Sequence, residues 1–242
     1  MKFYEKSICG SYRNLNEDTA YVFQNKTGQK IALIADGMGG HEHGEVASKF
    51  VASKIKEAFE ETNYFKPDDG KDFLRDLIIQ TNRELYDYSN EKTESKNMGT
   101  TLVLAAFLDE MIYVFNVGDS RAYALKKLEI RQITNDHTFV NMLVSSGEIT
   151  KEEAKSHPQK NIVTKALGTT RLIQPDLFRL KNHLYDYIVL TSDGVTDVVD
   201  DETIHKIVYE NESKADEIVA KAEKNDSKDN ISVIVVDLKA GE

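Results

Sequence analysis

Four apolar runs in this chain are each bounded at one end by an aspartate, and the four aspartates are far apart in sequence. The run 31–35 ends at Asp36-Gly-Met-Gly-Gly40, the run 111–117 at Gly118-Asp119, and the run 187–192 at Asp193-Gly194, while Asp229 stands just ahead of Asn230-Ile-Ser-Val-Ile-Val-Val236. Short apolar runs rich in Val, Ile, Tyr and Phe read as buried β-strands. Three aspartates thus sit at C-terminal strand ends and the fourth at an N-terminal start. A last strand antiparallel to the others would gather all four side chains at one end of one structure. A single strand-end Asp-Gly is an ordinary turn; four such sites in one chain point to a cluster. Packed carboxylates repel unless positive charge fills the space between them. Without cysteine they form the ligand set of a hard divalent cation, Mg²⁺, Mn²⁺ or Ca²⁺.

The rest of the chain gives those strands a scaffold. Its 242 residues, with three prolines and no low-complexity tract, contain no evident linker and predict one domain over 1–242. Amphipathic helices are predicted over 44–62 and 71–90, with 66–70 as the turn between them. Strand-like runs at 100–108, 111–117, 121–126 and 128–134 have the spacing of a β-meander. The polar stretch 138–170 differs: short helices at 138–146 and 151–157 flank Gly147, and Thr150 with Glu153 forms a capping box. It reads as a small lobe over one edge of the core. Strands return at 176–181 and 185–192, helices at 201–210 and 213–224, and a last strand at 231–238. Helices that come in pairs between groups of strands favour an antiparallel α+β layered fold over a doubly wound parallel sheet.

Composition narrows the partners. A net charge of −10 disfavours a nucleic-acid surface and requires local positive charge for any anionic substrate. Cys9 is the only cysteine, so no intrachain disulfide forms, as suits a reducing, cytoplasmic setting. The N-terminus lacks an apolar signal segment and no run reaches membrane-span length, so no membrane insertion is expected.

The glycine-rich stretch 36–44 fails as a nucleotide loop. Glu42 stands where the dinucleotide fingerprint has its third glycine, and Glu45-Val46 replaces the Lys-Ser/Thr of the Walker spacing. Glycines here let the backbone approach an ion, so that a main-chain carbonyl can join Asp36 as ligand. His41 and His43 could bind a transition metal, but a two-residue spacing on a loop is poor zinc geometry, and polar side chains fixing a helix start fit better. Arg13-Asn-Leu-Asn-Glu17-Asp18 places a planar guanidinium among carboxylates. Alone it reads as a salt bridge; beside a metal cluster it becomes a candidate anion clamp.

Arg13-x-x-Asn16-Glu17-Asp18, Asp36-Gly-Met-Gly-Gly, Gly99-Thr-Thr, Gly118-Asp-Ser-Arg121, Ser192-Asp-Gly194 and Asp229-Asn230 occur in the order and spacing of the metal-dependent protein phosphatases. The chain resembles this PPM, or PP2C, family over about residues 10 to 236, and its flap segment and Gly-Met-Gly-Gly-His loop resemble the bacterial branch. The resemblance implies an antiparallel β-sandwich flanked by helix pairs, in α-β-β-α layers. It further implies that Asp36 bridges two Mn²⁺ or Mg²⁺ ions and that the Gly37 carbonyl binds one of them. Asp193 and Asp229 would complete the other, and Glu17 and Asp18 would hold metal-bound waters. Arg13 would bind the substrate phosphate, Asp119 with Asp193 a third ion, and Asn230 would orient the site. Met38 stands where eukaryotic members commonly carry a histidine, so no general acid is assigned. Bacterial relatives often carry arginines in the flap where this chain has Lys160 and Lys165.

The activity implied is hydrolysis of phosphoserine and phosphothreonine in proteins by a monomer that opposes a Ser/Thr protein kinase. A pseudophosphatase that binds a kinase or phosphoprotein without turnover is the alternative, and an intact aspartate set argues against it.

Overall fold

The structure is a computed structural model that describes residues 1–39, 43–91 and 98–240. Two antiparallel sheets pack face to face. One runs β1 (Lys2–Ile8), β11 (Ile231–Asp237), β10 (Tyr187–Thr191), β7 (Arg121–Lys126), β8 (Glu129–Gln132) in spatial order. The other runs β2 (Asp18–Gln24), β3 (Lys30–Met38), β5 (Leu102–Leu108), β6 (Met111–Val117), β9 (Asp176–Lys181), with the short β4 (Gly99–Thr100) beside the end of β3. The helices α1 (His43–Glu60) and α2 (Pro67–Glu91) cover the outer face of the second sheet. The outer face of the first is covered by α5 (Asp193–Thr196), α6 (Asp201–Glu210) and α7 (Lys214–Lys224). This is the expected α-β-β-α layering.

The layering explains the sequence pattern. Every residue of β5 is buried, and β11 is buried from Ile231 to Val236. One face of each meets the other sheet and the opposite face meets helices, so the strands read as continuous apolar runs instead of alternating ones. Ile34, Val103, Val114, Ile188 and Ile234 fill the space between the sheets. In α1 the stripe Ala47, Val51, Ile55, Phe59 recurs every fourth residue and faces the sheet.

Three expectations need correction. First, 66–70 is not a turn up to the helix: α2 begins at Pro67. Proline at the first helical position loses no hydrogen bond, and Asp68 and Asp69 favour the helix N-terminus electrostatically. Second, the strands from 100 to 134 are not one meander. β5 pairs with β6 and β7 with β8, but β6 and β7 lie in different sheets, so the chain crosses the sandwich at Gly118–Ser120. Third, β1 was not foreseen. It is an edge strand with Lys2, Glu5 and Lys6 exposed, and charge of that kind hides a strand from a hydrophobicity reading while protecting the edge.

Between β8 and β9 lie α3 (Phe139–Ser146) and α4 (Lys151–Lys155). Thr138 caps α3, Gly147 ends it in the left-handed conformation, and Thr150 with Glu153 makes the capping box. The last part of this stretch is stitched to the core: Leu167 and Thr100 exchange backbone hydrogen bonds, and Asn82 of α2 accepts from Gly168 N.

Candidate functional site

The strand directions place the aspartates together. β11 is antiparallel to β10, so the start of one lies beside the end of the other, and Asp229 meets Asp193 at the same edge of that sheet. In the opposing sheet Asp18 and Asp36 are register partners across β2 and β3. Asp119 occupies the crossing between sheets. All five therefore line one end of the seam between the two sheets.

Asp36 is fixed by the Gly99-Thr-Thr segment. The β3 ladder switches from β5 to β4 around Thr101, and hydroxyls fill the gap. Thr100 Oγ1 and Thr101 N donate to the Asp36 carbonyl at 2.9 and 2.8 Å, and Asp36 N donates to Thr101 Oγ1 at 3.0 Å. The Thr101 hydroxyl also meets Ser120 Oγ at 2.7 Å, tying Asp36 to the crossing that carries Asp119.

Two glycine contacts bring the backbone segments close. A Cβ on Gly37 would stand 2.1 Å from the Gly44 carbonyl oxygen and 2.6 Å from that of Glu17. Only glycine admits this approach, and it seats the Glu17 carboxylate at the N-terminus of α1, where the Gly44 backbone N–H donates to it. On the other sheet, a Cβ on Gly194 would lie 1.9 Å from the Asn230 carbonyl oxygen.

Asn230 ties the loop between β1 and β2 to the start of β11. Its Oδ1 accepts from Glu17 N at 2.9 Å, and its Nδ2 donates to the carbonyls of Cys9 and Leu15 at 2.6 and 2.9 Å. Ser192 Oγ donates to Asp18 Oδ2 at 2.8 Å and accepts from Ser232 N at 3.0 Å. Arg13 donates from Nη2 to Asp229 Oδ2 at 2.6 Å and from Nε to the Lys228 carbonyl at 3.3 Å. Its guanidinium is half-exposed at the mouth of the cluster.

The electrostatics are those of crowded, desolvated carboxylates. Burial pushes Asp18 up to about 6, and burial with the neighbouring Asp136 pushes Asp119 up to about 6. Asp36 and Asp193 are raised well above the usual range, first by burial and then by the surrounding aspartates. Glu17 is raised by burial. Among the described residues four buried side-chain atoms lack a hydrogen-bond partner, and two of them are carboxylate oxygens of this group, Asp18 Oδ1 and Asp193 Oδ1. A buried anionic oxygen with no donor is costly unless a cation serves it. Among the described residues no three His, Cys, Asp or Glu side chains converge into a ready-made cage. Hydrated Mg²⁺-like ions do not require one: they take one or two carboxylates and retain several waters. An all-oxygen donor set with orphaned carboxylate oxygens fits such an ion.

Nine residues singled out in the sequence, Arg13, Glu17, Asp18, Asp36, Gly37, Asp119, Asp193, Asp229 and Asn230, lie around this one seam. His41 lies outside the described residues, and His43 opens α1. Lys160 pairs with Asp197 at 3.1 Å, and Lys165 with Asp176 at 3.0 Å, so each flap lysine holds a carboxylate of its own chain. Sequence reasoning missed the supporting pair Arg121–Asp136. Arg121 is half-buried, and its Nε and Nη2 both bond the carboxylate, at 3.0 and 2.6 Å, just where the chain leaves for the flap. It also missed the double link between Gly118 and His137, in which each backbone N–H is used. Arg121 belongs to the Gly118-Asp-Ser-Arg121 motif, but nothing in the sequence pairs it with Asp136.

Comparison with known proteins gives a consistent picture. The family model for protein phosphatase 2C matches residues 11–229. The chain is 38% identical over 232 residues to the serine/threonine phosphatase stp of Listeria monocytogenes, covering 94% of this chain and 92% of that one. The solved structure of serine/threonine phosphatase Stp1 from Staphylococcus aureus superposes with a TM-score of 0.95 at 42% identity, covering 98% and 94% of the two chains. A bacterial serine phosphatase bearing an arginine-to-lysine mutation superposes with a TM-score of 0.96 at 42% identity, covering 100% and 99%.

Proposed function

Given that this chain belongs to the protein phosphatase 2C family and is a metal-dependent serine/threonine phosphatase acting on phosphoproteins, we propose that the seam of carboxylates is its active site and that Mn²⁺ or Mg²⁺ occupies it. Asp36, beside Asp18 and pressed by the charges of Asp193, Asp119 and Asp229, would be shared by two ions, with the Gly37 carbonyl serving one. Asp193 and Asp229 would complete the other. Glu17 and Asp18, at the same seam, would hold metal-bound waters. Asp119 with Asp193 would take a third ion. When bound, the ions supply neutralising charge for the phosphoryl dianion and acidify a water at neutral pH.

The chain's own residues do the rest. Arg13 at the mouth, bonded here to Asp229 and to the Lys228 carbonyl, would turn its fork onto the phosphoryl oxygens and orient the substrate. Asn230 holds the backbone of Glu17 and of the Arg13 loop, so carboxylate and clamp keep a fixed relation. Thr100 and Thr101 hold the backbone of Asp36. No covalent phospho-enzyme is needed, and Cys9 has no part in the chemistry.

The observation that carries this reading is the pair of orphaned oxygens, Asp18 Oδ1 and Asp193 Oδ1, buried among mutually repelling carboxylates. Its test is Asp36→Asn, Asp193→Asn and Asp229→Asn. Each should lower turnover of a phosphothreonine peptide by orders of magnitude and weaken Mn²⁺ binding in calorimetry, with circular dichroism unchanged. Near-wild-type turnover in all three, or full activity after exhaustive EDTA treatment, overturns the assignment. Asp119→Ala should lose much turnover while retaining the two core ions.

We further propose that residues 1–242 act as one catalytic domain with a flap over about 138–170, as a monomer. No described helix is long and apolar enough to cross a membrane, and Cys9 is a free thiol. Both suit a cytoplasmic enzyme opposing a Ser/Thr protein kinase.

A further inference from the structure

The loop that carries Arg13 is gripped from outside by three exposed side chains that no catalytic role accounts for. Tyr12 OH donates to Asp226 Oδ1 at 2.5 Å, and Lys228 Nζ donates to Asp226 Oδ2 at 2.5 Å. The Lys228 ammonium lies over the Tyr12 ring, 3.4 Å from its centroid. Each of the three touches the other two. They join the loop between β1 and β2 to the segment between α7 and β11, flanking the Arg13–Asp229 pair. Arg13 Nε donates to the carbonyl of Lys228, a residue of the same trio.

The backbone at Asp226 shows that this side chain is not incidental. Asp226 N donates to the Glu223 carbonyl and Ser227 N to that of Ala222, which is the paired closure that ends a helix in a left-handed residue. The left-handed residue is Asp226, with φ of 67°. Glycine takes that position without strain, whereas an aspartate there carries a backbone penalty. A residue kept in a costly conformation on the surface points to a use for its side chain. The stability contributed by exposed ion pairs is too small to be that use. Nor is the trio a second phosphate site, because Asp226 already neutralises Lys228. What remains is the geometry it imposes on the adjoining Arg13.

We propose that Tyr12, Asp226 and Lys228 form a positioning clamp that holds the Arg13 guanidinium at the mouth of the active site, and so sets affinity for the phosphorylated substrate. The clamp rests on the reading of Arg13 as the phosphate-binding residue. Tyr12 restricts the loop at the position next to Arg13. Lys228 packs on the exposed face of that ring and offers its carbonyl to Arg13. Asp226 holds both by one oxygen each. None of the three touches the reacting atoms.

Asp226→Gly separates this role from a structural one, because stability and affinity should move in opposite directions. The substitution relieves the left-handed backbone and frees Tyr12 and Lys228. The melting temperature should be unchanged or higher, while KM for a phosphothreonine peptide rises about fivefold, the factor of roughly one hydrogen bond, and kcat stays within about twofold. Tyr12→Ala should raise KM likewise, and Tyr12→Phe should recover part of it, since the ring still receives Lys228. In an Arg13→Ala background Asp226→Gly should add nothing further. If KM is unchanged in Asp226→Gly and Tyr12→Ala while Arg13→Ala raises it, the clamp is wrong and the phosphate reading stands. Effects that multiply in the double variant would mean that the trio acts without Arg13, which also overturns the clamp. If Arg13→Ala itself leaves KM unchanged, the phosphate reading fails and takes the clamp with it.

Discussion

Asp18 offers a test of the carboxylate cluster that does not depend on turnover. It is only 6% exposed, with one oxygen bonded by Ser192 and the other without a partner. Burial holds its carboxyl at about 6 in the folded protein, against 3.8 for the free side chain. A difference of about two pH units corresponds to roughly 3 kcal/mol. The sign follows from the raised value. Below the unfolded pKa both states are protonated and nothing is lost. As pH rises the unfolded chain ionises first, and the folded form loses relative stability until the folded pKa is passed. About 2 kcal/mol of the loss falls between pH 4.5 and pH 7.5, or roughly 4–8 °C in melting temperature for a domain of this size. Asp18→Asn removes the titration. Its buried amide also loses hydrogen bonding, but that term does not vary with pH, so the readout is the slope, not the offset. In EDTA the melting temperature of the variant relative to wild type should therefore climb by several degrees from pH 4.5 to pH 7.5. Saturating Mn²⁺ should reverse the trend at pH 7.5, since a cation that binds the native cluster stabilises wild type more than the variant. Parallel melting curves across that range in EDTA would refute the reasoning, because they would mean that Asp18 is not a strained charge in the fold.

The remaining expectations concern the mouth, the flap and the glycine contacts. Arg13→Ala should raise KM for phosphopeptides by about tenfold, the effect of losing a charge-assisted contact, with Arg13→Lys recovering only part because the fork is lost; an unchanged KM would return Arg13 to a plain ion pair with Asp229. Lys160→Met and Lys165→Met break the pairs with Asp197 and Asp176 and should alter phosphopeptide kinetics more than those of para-nitrophenyl phosphate, which is too small to reach the flap from the carboxylate seam; equal effects would make the flap part of the catalytic scaffold. Gly194→Ala places a Cβ 1.9 Å from the Asn230 carbonyl, so the melting temperature should fall by about 10 °C or more, and a well-folded, stable variant would show that this approach is not required.

How much of this was legible in the sequence depended on whether the signal was local. An apolar run that stops at an aspartate is local, and so are helix stripes and the Thr150–Glu153 cap; these placed β3, β6, β10, β11 and most helices within a few residues. The strand ends then implied a shared edge, because antiparallel pairing brings the end of β10 to the start of β11. Where a strand carries its own charge, as β1 does, that logic has nothing to hold. Pairing partners across the chain were also invisible: Arg121 with Asp136, Asn230 with Glu17, and Tyr12 with Asp226 leave no periodicity, because each is chosen by the geometry of the finished fold. The β6–β7 crossing is the sharpest case. Its spacing is that of a tight hairpin, yet Gly118 to Ser120 carry the chain from one sheet to the other. A hairpin there would have left Asp119 at the tip of one sheet. The crossing instead places it in the seam, near Asp193 of the opposing sheet and tied through Ser120 and Thr101 to the backbone of Asp36. The step that a hydrophobicity pattern could not distinguish is thus the one that adds Asp119 to the charged site.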